Sequence, residues 1–129
     1  MSPRDLRLTL LPGSFAVARL DPASPVPEWA AAGELTSITR TAAELSIVCA
    51  QEGVPATVKA ERDWRCLAVA GPLDFSEVGI LAELTGALAD SGVSLFALST
   101  FDTDYLLVRA GDLETAVAVL RERGHSVAG

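Results

Sequence analysis

The sequence has one lysine and one histidine in 129 residues, two cysteines, and an aromatic content of 5%. Each shortage excludes something. With Lys59 as its one lysine and a formal net charge of −7, the chain lacks the clustered basic residues of a nucleic-acid footprint. His125 alone offers little from which to build a Ser/His/Asp or Cys/His catalytic set. Cys49 and Cys66 sit in apolar runs (IVCA and RCLAVA) with no Cys or His at metal-ligand spacing, the pattern of buried free thiols. There is no phosphate loop and no nucleophile and base pair, so neither an enzyme nor a cofactor is expected. No uncharged apolar run approaches the ~20 residues that span a bilayer, and the start MSPRDLRLTLLPG lacks a signal-peptide pattern. A cytoplasmic protein with no membrane partner is expected.

What is present is a hydrophobic content of 50% with 21% charged residues, enough for one ordinary domain or two very small ones. The second half reads in sharp segments. WRCLAVA (64–70) is a buried strand ended by Gly71 and Pro72. Residues 78–89 form a helix with Ile80, Leu81, Leu84 and Leu88 on one face, capped at its start by Asp74 or Ser76 and stopped at Gly92. Residues 93–99 and 105–110 are strands joined by a polar turn, and Asp112 caps a last helix with Leu113, Ala116, Val117 and Leu120 inward. A short strand at 125–128 closes the order β-α-β-β-α-β, the ferredoxin-like plan.

The first half echoes this at an offset of 60. Leu35 falls on Leu95, Ile38 on Leu98, Glu44 on Asp104, Val48 on Val108 and Pro12 on Pro72. A constant offset points to two copies of one small unit, divided here as residues 1–60 and 61–129. The first copy has lost most of its first helix, since FAVARL (15–20) alternates like a strand and only residues 28–32 can be helical before Gly33. Residues 51–63, with Pro55 and the charged Lys59, Glu61, Arg62 and Asp63, read as a surface connection. The fold class is therefore α+β: tandem ferredoxin-like units, antiparallel sheets side by side with helices on one face.

The segment from Glu44 to Val108, above all DFSEVGILAEL and STFDTDYLLV, resembles the ACT domain family, and within it the CASTOR-like arginine sensors and small bacterial tandem ACT proteins. The resemblance implies a regulatory module that binds an amino acid where two ACT units meet. Polar residues gather at two places that suit such a ligand. The helix entry at Val78, Gly79 and Ile80 offers unpaired N–H groups to an α-carboxylate. Glu77, Asp102, Asp104 and the hydroxyls of Thr100 and Thr103 are acceptors for an ammonium or a cationic side chain, which leans the ligand toward arginine or lysine. Phe101 in that turn either covers a pocket or packs at an interface. The CASTOR-like pattern adds Ser46 and Val48 as contacts. Asp102 and Asp104 are also ordinary turn residues, and Glu77 suits any helix start. The alternative function is a protein-protein interaction module without a small ligand. Under either reading a homo-oligomer, a dimer, and a further protein partner are expected.

Overall fold

The computed structural model describes residues 6–70 and 79–129. Its strands are β1 (Arg7–Leu10), β2 (Phe15–Leu20), β3 (Ser37–Arg40), β4 (Leu45–Ala50), β5 (Ala60–Val69), β6 (Leu95–Ser99), β7 (Asp104–Arg109) and β8 (Ser126–Ala128), and its helices are α1 (Ile80–Asp90) and α2 (Leu113–Glu122). The chain forms two compact units, one of residues 13–64, the other of residues up to 12 and from 65 onward. The fold is α+β and ferredoxin-like in strand order. The boundary expected after residue 60 lies inside β5, which begins in one unit and ends in the other.

In the unit of residues 13–64, β2 pairs antiparallel with β4 from Phe15↔Ala50 to Leu20↔Leu45, and β3 forms a hairpin with β4. The first part of β5 completes the order β3-β4-β2-β5. Taken in chain order within the unit, that is 2-3-1-4, the ferredoxin-like arrangement. Alternation puts Ala16, Ala18, Leu45, Ile47 and Cys49 into one core with Ala30 and Val54. The alanines of β2 leave so little bulk that a single 3₁₀ turn, Glu28–Ala31, covers this face with Ala30 and the half-buried Trp29. The first helix is thus degenerate, as the sequence implied. The second crossover is reduced as well, to a 3₁₀ turn at Gln51–Gly53. Residues 60–63 are not a surface connection: they are strand, with Ala60 and Glu61 paired to Ala18 and Val17.

The other unit has the strand order β6-β7-β5-β1-β8. Here the plan is interrupted by the chain's own beginning. β1 lies between β5 and β8, antiparallel to the first (Leu8↔Val69) and parallel to the second (Leu8↔Val127). Leu8 enters the core while its neighbours Arg7 and Thr9 are exposed, so four residues with one inward side chain suffice. On α1, Ile80, Leu84, Ala87 and Leu88 are buried, and on α2, Ala116, Val119 and Leu120. Val119 takes the place expected for Val117. Asp112 stands at the start of α2 but makes no capping hydrogen bond with its side chain, and the expected caps Asp74 and Ser76 lie outside the described residues.

The two hairpins correct the expected offset by one residue. Thr41 N–H donates to Glu44 O at 2.9 Å, and Thr100 N–H to Thr103 O at 2.8 Å. Arg40 pairs with Leu45 as Ser99 pairs with Asp104. The copies therefore superpose at an offset of 59, setting Ile47 and Cys49 of one core against Leu106 and Val108 of the other. A strand shifted by one residue exchanges its faces, so an offset of 60 would set Val48, which faces away from its core, against core-facing Val108.

Gly33 has φ +92°, and a Cβ built there would lie 2.7 Å from the Cβ of Ala50. Strand β4 cannot yield without losing its pairing, so Gly33→Ala is expected to destabilise the protein by about 2 kcal/mol or more, read from denaturant midpoints. Cys49 and Cys66 are free and wholly buried, and burial pushes both thiols up, Cys66 to about 12. Native protein at pH 8 is expected to resist thiol alkylation until unfolded. Because an unfolded thiol ionises near pH about 8.5, these two groups make stability fall as pH rises above that value, measured by denaturant titration at two alkaline pH values.

Candidate functional site

The β6–β7 hairpin ends in a turn that holds itself together. The Thr100 hydroxyl donates to Thr103 O at 3.1 Å and accepts from Thr103 N–H at 3.2 Å, doubling the backbone closure. Such side-chain mimicry of a turn is what Thr and Asp favour. Phe101 is 80% exposed at the tip and Asp102 is exposed beside it. Asp104 is half-buried at the first residue of β7, and its Oδ1 accepts from the Ser99 hydroxyl at 2.6 Å. A hydrogen bond to a carboxylate is short and strong for its type, so the direction of this carboxylate is set.

A second bond ties the turn to the sheet. Thr103 Oγ1 donates to the carbonyl of Val69 at 2.6 Å. Val69 ends β5, the strand from which the chain proceeds to α1, so the turn is fixed at the end of the unit from which that helix is reached. At the start of α1, Gly79 takes a left-handed conformation (φ 85°) and its carbonyl accepts the first helical bond from Glu83 N–H at 2.8 Å. The N–H groups of the first turn have no acceptor within the helix and carry its positive dipole end. Ile80 is 5% exposed in the core, so only its backbone can meet a ligand.

The structure thus joins Thr100, Asp102, Thr103 and Asp104 in one turn and sets Gly79 and Ile80 at a helix start. Glu77 and Val78 lie outside the described residues. Ser46 and Val48 belong to the unit of residues 13–64, on the face of β4 opposite Leu45, Ile47 and Cys49. Ser46 is half-buried and Val48 buried. Ser99 and the Val69 carbonyl were not found by sequence reasoning; the pairing of Ser99 with Asp104 across a two-strand hairpin was the available signal. Among the described residues no three His, Cys, Asp or Glu side chains are grouped to hold a metal ion.

An ACT domain model matches residues 59–122, and a model for an amino-terminal domain matches residues 13–57. A solved structure of an Agobacterium tumefaciens protein is 40% identical and superposes with a TM-score of 0.92 over 98% of this chain and 95% of its own. The chain belongs to the ACT domain family. This ACT chain is also similar to the human cytosolic arginine sensor for mTORC1 subunit 1, 36% identical over 66 residues, which are 50% of this chain. Those residues are 20% of the sensor, so the chain spans about a fifth of the curated relatives it matches. The regulatory subunit of aspartate kinase from Thermus thermophilus shares the fold, with a TM-score of 0.63 at 15% identity over 95% of this chain and 99% of that one. No helix among the described residues of the ACT chain is long and apolar enough to cross a membrane.

The tie between Thr103 and Val69 sets the turn, and it can be removed alone. Thr103→Val keeps the shape and leaves the partly buried carbonyl without its donor, an expected loss of about 1 kcal/mol in thermal or denaturant unfolding, restored by Thr103→Ser.

Proposed function

We propose that this ACT protein is a non-catalytic regulatory protein that binds an amino acid, with the site between its two ACT units. The observation that carries the reading is the hairpin turn: a carboxylate directed by Ser99, in a loop anchored to the end of β5 by Thr103. The α-carboxylate of the ligand would rest on the N–H groups of Val78, Gly79 and Ile80, where the helix dipole favours an anion. Asp102, Asp104 and Glu77 would take the ammonium or a cationic side chain, since a buried cation needs a carboxylate partner. Phe101 would cover the ligand, and Ser46 and Val48 would line the wall given by the first unit. Likeness to an arginine sensor and the acidic turn both favour arginine or lysine. The protein would act in the cytoplasm as a homodimer and pass its state to a protein partner.

Calorimetry against the twenty amino acids tests this. One of them, with arginine and lysine foremost, is expected to bind, and Asp104→Ala to weaken that binding at least about tenfold, ~1.4 kcal/mol, without changing the oligomer. Absence of binding by all twenty would overturn the reading. Loss of the oligomer in Asp104→Ala, with no ligand found, would favour the interaction module instead.

A further inference from the structure

The one histidine of the chain is a buried group that the proposed site does not use. The His125 side chain has no solvent exposure and sits between three elements. Its Nδ1 accepts a hydrogen bond from the backbone N–H of Leu6, just before β1, at 3.3 Å. An acceptor nitrogen carries no proton, so the neutral ring bears its proton on Nε2. Nε2 lies 3.0 Å from Oε2 of Glu83, in the first turn of α1, though its N–H is not aimed along that line. This is a close polar contact without the alignment of a full hydrogen bond.

Other charged groups on the elements packed here have their own positions. Arg121 of α2 donates to the carbonyl of Val127 at 2.8 Å, and Arg123 pairs with Asp90 of α1 at 3.7 Å. Glu122 and, on β1, Arg7 are exposed. Among the described residues, Glu83 is therefore the carboxylate that meets the ring directly. A second proton on the imidazole would enter at Nδ1, where it faces the Leu6 N–H, donor against donor, and that bond must break. The same proton places a full positive charge beside the Glu83 carboxylate, in surroundings that screen it little.

We infer that His125 is a proton-operated catch on Leu6, just before β1: neutral, it holds the N–H of Leu6; protonated, it releases Leu6 and grips Glu83. The rest of β1 stays paired, because Ser126 N–H still donates to Leu6 O at 2.9 Å and Leu8 keeps its partners on both sides. Glu83 stands in the first turn of α1, where its backbone N–H donates to Gly79 O, so the catch lies beside the helix start of the proposed site.

Amide hydrogen exchange of the full chain, corrected for intrinsic rates, tests this between pH about 8 and about 5, the interval in which imidazoles change charge. Protection of the Leu6 amide is expected to fall at least tenfold relative to that of Leu10, while imidazole ¹⁵N shifts show Nδ1 unprotonated at the upper pH. His125→Gln has no ring to protonate, and the fall is expected to vanish in it. Leu6 protection that follows Leu10 across the interval, or a protonated Nδ1 at pH 8, would overturn the inference. Both readouts come from the wild-type protein, so they decide even where a variant does not fold.

Discussion

The ten-residue strand β5 serves both units, and that constraint shapes the chain around it. Its early residues pair with β2 and its late residues with β1. In the first unit even-numbered Ala60 points to the core; in the second, odd-numbered Leu67 and Val69 do. Between these two stretches the strand carries a bulge: Phe15 and Val17, two residues apart, oppose Trp64 and Glu61, three apart. An extra residue inverts every side chain beyond it. Asp63 takes the strain, with φ +67°, a conformation that costs most residues about 1 kcal/mol and that Asp tolerates better. The groups freed by the bulge are met by one side chain, as Gln51 donates to Asp63 Oδ1 at 3.0 Å and accepts from Asp63 N–H at 2.5 Å.

This device explains where the sequence was legible and where it was not. WRCLAVA and FAVARL declare themselves as apolar runs of strand length, and the two helical faces by their period. The charged run from Lys59 to Asp63 looks like surface, yet from Ala60 onward it is a paired strand, with Glu61 and Asp63 exposed, whose bulge breaks the period. β1 is four residues long with one core side chain, too little pattern to place, and its seat between β5 and β8 depends on contacts far along the chain. The offset of 60 came from matching residue types in strands. The offset of 59 comes from turn hydrogen bonds, which residue types alone do not report. The acidic turn at 100–104 was legible for the same reason turns usually are, from Asp and Thr together. Its anchor on the Val69 carbonyl is a tertiary contact and left no mark in the local sequence.

Superposition at the corrected offset also separates the two hairpins chemically. Both turns close through a Thr whose hydroxyl serves the turn, Thr41 in the first and Thr100 in the second. In the first, the chain supplies its own cation: Arg19 donates to Ala43 O at 2.9 Å and lies 4.0 Å from the Glu44 carboxylate. That exposed ion pair contributes little to stability, on the order of 0.5 kcal/mol. It does offset the negative charge of the turn. At the equivalent turn of the second copy, the carboxylate of Asp104 is directed by a neutral hydroxyl, which fixes its geometry and leaves its charge in place. One copy of the duplicated hairpin has thus been neutralised by an arginine of the chain, and the other holds an oriented negative charge at the end of β5. That difference is why the proposed reading puts the cationic group of a ligand at the second hairpin rather than the first.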